Sequence, residues 1–223
     1  MKKAAARRWV PAYVKRSNRK YIIGVDEVGY GAWAGPLVVV AAAFPAEMAW
    51  PEHLGERDIC DSKRMKTHRR RLAVLPVIEH LCVARKLVEV ESSTIDRLTG
   101  VRALCGATRV AVYSCREMLD DEASVIVDGD PLRWSDQTFT YLAKGDTKVH
   151  AVAAASIIAK VHRDLLMIEL SKTHAGYALD KNMGYGTKEH REGLEKLGVC
   201  PLHRMSYRPM REMGHGDQGR AAG

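Results

Sequence analysis

Four carboxylates in this chain have the type and setting that metal-assisted or acid–base chemistry requires. Asp26 and Glu27 stand side by side in YIIGVDEVGYG, at the end of an apolar run and just ahead of Gly29, Tyr30 and Gly31. Asp128 closes the apolar run ASVIVD, and Asp146 follows TFTYLAKG. Carboxylates gathered within a few ångströms repel one another and take up protons unless something positive compensates. Hard divalent cations are the natural compensation, because Mg²⁺ binds carboxylate and water oxygens and keeps positions open for a substrate phosphate. Two such ions, about 3.5–4 Å apart, activate a water on one side of a phosphodiester and steady the leaving oxygen on the other. A lone Asp-Glu pair more often caps a helix or ends a strand. Four acids from separate segments, each at a predicted strand end, weaken that reading. Asp130, followed by Pro131, reads as a turn residue, and Asp136 as a loop residue.

These acids need a scaffold. KYIIGVDEV (20–28), LVVVAAAF (37–44) and CVARKLVEVE (82–91) predict three strands, and ASVIVDGD (123–130) and TFTYLAKGD (138–146) predict two more. SKRMKTHRRRLAVLPVIEH predicts a helix capped by Ser62 and ended or kinked at Pro76. Further helices are predicted from Val101 to Leu119 and over VHAVAAASIIAKVHRDLLMIELSKTH (149–174), the latter with a wide apolar face. This order implies an α/β fold with a mixed sheet: an antiparallel meander of three strands, then strands added parallel through helical crossovers. If the first and fourth strands are parallel neighbours, Asp26, Glu27 and Asp128 meet at carboxyl strand ends, where α/β sheets hold ligands. Glu27 falls on the opposite strand face from Asp26, so a bend or bulge is expected to bring it round. Beyond residue 175 the chain is turn-rich, with one short helix at about 187–197.

The 223 residues carry 35 Lys and Arg against 27 Asp and Glu, a net charge of +8 that suits polyanionic partners where it clusters. It clusters at the ends: the first twenty residues hold eight basic side chains and no acidic one. Read alone, such runs are solvated tails. No apolar stretch approaches the roughly 20 residues a membrane-spanning helix needs, and no apolar segment of a secretory signal follows the basic start. The five cysteines are scattered without a CxxC pair, which indicates neither a disulfide framework nor a zinc site. A cytoplasmic protein, monomeric and without a membrane partner, is expected. Its domains are expected as a basic tail at 1–19, a main domain at 20–175, a helical extension at 176–209 and a flexible tail at 210–223.

The segments GVDEVGYGAWAGPLVVVAA, DSKRM, VIVDGD, KGDTKVHAVAAASIIAKVHRD and NMGYGTKEHREGLEKLGVCPLHRMSYRP resemble ribonuclease HII in order and spacing, over residues 21 to 209. The resemblance implies a ribonuclease H-like five-stranded mixed sheet flanked by helices, with a small helical carboxy-terminal extension. It implies dependence on Mg²⁺ or Mn²⁺. The implied reaction is cleavage of RNA in RNA–DNA hybrids and of duplex DNA containing single ribonucleotides, leaving 3′-hydroxyl and 5′-phosphate ends. The family's four acidic positions carry over to Asp26, Glu27, Asp128 and Asp146. Its glycine-flanked motif, usually Gly-Arg-Gly, is here Gly29, Tyr30, Gly31, and is expected to read the ribose 2′-hydroxyl through main-chain groups. Tyr30 cannot supply the arginine's charge, so weaker affinity or discrimination is expected. Tyr185 matches the tyrosine that stacks on the neighbouring sugar, and Lys63, Lys144, Lys160 and Arg163 are candidate phosphate contacts. His162 and His203 lack metal-ligand partners at usable spacing and read as structural. A nuclease of the same fold acting on DNA junctions, or a hybrid-binding protein without catalysis, would share the scaffold; the first has no use for a 2′-hydroxyl sensor and the second none for four acids.

Overall fold

A computed structural model describes residues 19–51 and 67–213. Strands β1 (Tyr21–Val28), β2 (Leu37–Pro45), β3 (Ala84–Val90), β4 (Ala123–Asp128) and β5 (Thr140–Leu142) form one sheet in the order β3-β2-β1-β4-β5. The β1–β2 and β2–β3 pairs are antiparallel, and β1–β4 and β4–β5 are parallel. The expected mixed sheet is therefore present. β2 is apolar along its length because it is covered on both faces, which is what central strands of such sheets require.

Seven α-helices pack around the sheet among the described residues: α1 (His68–Leu81), α2 (Ser92–Leu98), α3 (Gly100–Arg116), α4 (His150–Thr173), α5 (Leu179–Asn182), α6 (Lys188–Leu197) and α7 (Arg208–Glu212). Side chains alternate across the strands and so divide the core. Ile22, Val38, Val40, Phe44 and Ile126 meet the Ala- and Ile-rich face of α4, while Ile23, Val25, Val39, Ala41 and Val125 meet Ala103, Ala107, Ala111 and Val112 of α3. A third cluster, with Trp33, Ala34, Met167, Tyr177, Leu179, Leu194 and Met210, seats the carboxy-terminal helices against the loop after β1. No helix among the described residues is long and apolar enough to cross a membrane.

Several local expectations change. α1 runs through Pro76 rather than ending there. The proline removes a bond to the carbonyl of Leu72, a residue 40% exposed, where water can replace it. Ser62 lies outside the described residues, and Thr67 caps α1 by accepting the Arg70 N–H. β5 is only three residues long, because Lys144 turns left-handed at φ 58° and starts a 3₁₀ turn over Gly145–Thr147. No bulge brings Glu27 round: the β1–β2 register is continuous through Glu27↔Val39 and Val28↔Val38.

Candidate active site

The β1–β4 register ends at Val25↔Val127, so the next residues on the two strands, Asp26 and Asp128, stand level at the carboxyl edge. Asp26, Glu27 and Asp128 line one pocket of about 180 Å³, with Tyr30, Leu104, Cys105, Thr108 and Tyr141 among its walls. Asp26 is 7% exposed. Its carboxylate accepts the Glu27 N–H at 2.8 Å and a hydrogen bond from Ser156 of α4. Asp146 sits in the 3₁₀ turn ahead of α4, and that turn is tied to Asp128, whose Oδ1 accepts the Gly145 N–H at 2.5 Å.

The electrostatics single out Asp128 as the hub. Burial holds the Asp26 carboxyl well above the usual carboxylate range, and the charges of Glu27 and Asp128 push the same way against the Ser156 hydrogen bond. Glu27 is raised by burial and then by Asp128. Asp146 is raised by burial and by Asp128, with Lys144 pulling it back. No three His, Cys, Asp or Glu side chains among the described residues are drawn tightly enough to clasp one ion. The donor chemistry nonetheless fits a hard divalent cation: every candidate ligand is a carboxylate, and a cation would offset the burial, and the mutual repulsion added to it, that raise three of them.

Beside the acids, Gly29 has φ +83°, a conformation L side chains rarely adopt, and a Cβ there would lie 2.1 Å from Arg163 Nε. Gly31 is exposed with open space around it. The loop is braced from the carboxy-terminal side. Arg204, fully buried, donates to the carbonyls of Tyr30 (2.8 Å) and Gly35 (2.8 Å), and the Tyr207 hydroxyl donates to Tyr30 O at 2.6 Å. Trp33 and Ala34 donate their N–H groups to Gly184 O, which places Tyr185, 39% exposed, next to the same loop.

Two expected phosphate contacts are engaged otherwise. Arg163 is fully buried and donates to the carbonyls of Pro36, Met183 and Ala34, so it clasps the loop from beneath and presents nothing to solvent. Lys160 is paired with Asp164, which also faces Arg71 and His68 across the α1–α4 contact. Lys144 is exposed next to Asp146, and Lys63 lies outside the described residues. His162 contacts Glu89 at 2.7 Å, and His203 contacts His190, Nε2 to Nε2, at 3.1 Å. Arg204, Tyr207 and Ser156 were not anticipated, since a cation in a turn-rich extension and a serine in an Ala-rich helix carry no periodic signal. The burial of Arg163, expected instead as a phosphate contact, could have been anticipated: Ala159, Arg163 and Met167 recur every four residues along the buried stripe of α4.

The ribonuclease HII family model matches residues 23–210, nearly all of the described chain. The chain belongs to the ribonuclease HII family. The ribonuclease HII of Listeria monocytogenes serotype 4b (strain F2365) is 40% identical over 194 residues, covering 86% of this chain and 70% of that one. That of Limosilactobacillus fermentum is 37% identical over 196 residues, 87% and 72% of the two chains. Among solved structures, the ribonuclease H2 of Pyrococcus horikoshii OT3 superposes with TM-score 0.70 at 26% identity, over 86% of this chain and 96% of that one. Bst-RNase HIII, solved in complex with Mn²⁺, shares the fold with TM-score 0.62 at 18% identity, over 92% and 73%. The chain is thus a ribonuclease H-type endonuclease, of a divalent-metal-dependent family that acts on RNA–DNA hybrids.

Proposed function

We propose that this ribonuclease HII-family chain cleaves the RNA strand of RNA–DNA hybrids and cuts on the 5′ side of single ribonucleotides in duplex DNA, leaving 3′-hydroxyl and 5′-phosphate ends. The observation that carries the reading is the level placement of Asp26 and Asp128 on parallel strands, beside a loop with a left-handed glycine and braced carbonyls. Asp26 and Asp128 would hold Mg²⁺ or Mn²⁺ from both sides, Glu27 on the scissile-sugar side and Asp146 on the water side. Two bound ions supply an activated water and a stabilised leaving oxygen. The rest is the protein's. The backbone from Gly29 to Gly31 approaches the ribose and hydrogen-bonds its 2′-hydroxyl, which DNA lacks. Tyr185 offers an apolar ring to the adjacent deoxyribose, and Lys144 an exposed cation to a phosphate. Residues 20–175 form the catalytic unit and 176–209 the extension that braces its loop.

The test is cleavage of a duplex carrying one ribonucleotide, with Mg²⁺, with Mn²⁺ and with chelator, beside a copy 2′-O-methylated at the cut site. Cutting that needs metal and stops on methylation is expected; a DNA-directed nuclease tolerates the methyl group. Asp128→Asn should abolish cutting while hybrid binding persists, and full activity in that variant removes the assigned metal site.

A further inference from the structure

Outside the acidic pocket, α3 carries Arg102, Arg109 and Arg116 and no Asp or Glu. Steps of seven residues return to nearly the same side of an α-helix, so these three positions lie in one row that spans about 21 Å along the helix axis. The β4–β5 connection adds Arg133 and Trp134 near its middle. The Trp134 ring lies 4.6 Å from the Arg102 guanidinium and 5.2 Å from that of Arg133, and remains 40% exposed. Among the described residues neither Arg102 nor Arg133 has a carboxylate within ion-pair distance, whereas Arg109 has Asp136 at 3.9 Å. Asp136 is already occupied with its own turn, accepting from Thr138 and from the Tyr113 hydroxyl.

The position of this cluster gives it a use. Leu104 and Cys105, between Arg102 and Arg109, line the same pocket as Asp26, Glu27 and Asp128, and so do Leu132 and Ser135 on either side of Arg133 and Trp134. The row therefore starts at the rim of the acidic pocket. A polyanion reaching those carboxylates meets repulsion there, and the adjacent Gly29–Gly31 loop holds no cation. Two arginines stacked on one indole are pre-organised, weakly hydrated and free to take phosphate oxygens in a forked geometry, and the exposed ring edge can pack on a sugar or base.

We propose that Arg102, Arg133 and Trp134, continued by Arg109, form a clamp for the sugar–phosphate backbone of the substrate duplex where it flanks the cut. This rests on the nucleic-acid substrate proposed above. Arg102→Ala/Arg133→Ala and Trp134→Ala, all at exposed positions, would be compared with the parent on duplexes carrying one central ribonucleotide, with long and with trimmed flanks, over a range of salt. Binding of the same duplexes would be followed by anisotropy in chelator, so that the clamp is tested even if the parent does not cut. The double variant should raise KM on the long duplex about tenfold with kcat little changed, and lower the slope of log affinity against log salt by about 2, near one unit per phosphate lost. On the trimmed duplex the difference should vanish. Lys172→Ala, which removes a cation on the far end of α4, should change neither. Equal KM and an equal salt slope for parent and double variant on the long duplex would overturn the clamp and leave the row to an acidic protein partner. An equal loss of kcat on both duplex lengths would overturn it as well, by showing a structural role only.

Discussion

Alanine at Gly24 would set a methyl carbon 2.1 Å from the carbonyl carbon of Ala151, 2.2 Å from its oxygen and 2.3 Å from Val152 N. Gly24 lies mid-strand in β1 with no left-handed torsion, so the strand backbone tolerates alanine and the whole penalty comes from the contact. The atoms struck are main chain of the first turn of α4, which cannot rotate away as a side chain can. Recovering an ordinary contact of about 3.4 Å requires β1 and α4 to separate by more than 1 Å. Overpacking of this kind costs about 1–3 kcal/mol. The functional cost is larger in proportion: β1 carries Asp26 and Glu27, the turn ahead of α4 carries Asp146, and a displacement of about 1 Å can lower a rate about 100-fold. Gly24→Ala should fold, unfold in urea at a midpoint corresponding to about 2 kcal/mol less stability, and cut a hybrid at about 1% of the parental kcat. Adding Ala151→Gly should not rescue it, since the clash is with backbone. Stability within about 0.5 kcal/mol of the parent and a kcat within about threefold would refute the close-contact argument.

Gly106, in the interior of α3 with open space where a methyl group would stand, is the converse case: Gly106→Ala should add about 0.5–1 kcal/mol in urea unfolding and leave cleavage unchanged. Asp26 is kept above the carboxylate range by burial, so the folded state holds its proton more tightly than the unfolded one and loses stability as pH rises from the ordinary carboxylate value through the raised one. At neutral pH without metal, Asp26→Asn should therefore unfold later than the parent, by about 0.5–2 kcal/mol, while losing cleavage. His190 is pushed below its usual value by burial. Its stabilising contribution is full above about pH 6.5 and is lost as pH falls from there through the lowered value. Urea midpoints taken across that range should decline on acidification in the parent and decline less in His190→Gln, and an unchanged slope would dismiss His190 as the titrating group.

The sheet order and the strand-end acids were legible because apolar runs of strand length, punctuated by glycine and acid, leave few topologies open. Asp146 is placed by its neighbours in KGD ahead of an Ala-rich helix, but the left-handed turn at Lys144 that sets its geometry has no sequence mark, since lysine is not a residue that favours φ above zero. α2 escapes a reading by pattern because SSTIDRL is short and lacks a side-chain cap, and its place depends on Ser92 bonding Leu202 O, 110 residues away. The burial of Arg163 and Arg204 defeats a rule that serves elsewhere, that cations face water. Both are held by main-chain carbonyls instead of acids, and which carbonyls converge is a matter of tertiary structure.

The bracing of Tyr30 and Gly35 by Arg204 orders events during synthesis. All five strands, and the helix α4 that covers one face of their sheet, have been made once residue 173 is added, so the edge that sets Asp26 level with Asp128 is complete before Arg204 is supplied. The carbonyls of Tyr30 and Gly35 then wait for a guanidinium encoded some thirty codons later. A prematurely terminated product would carry the acidic edge with its companion loop unfastened, and the ribosome would have to pass codon 204 before the two halves of the centre could act together.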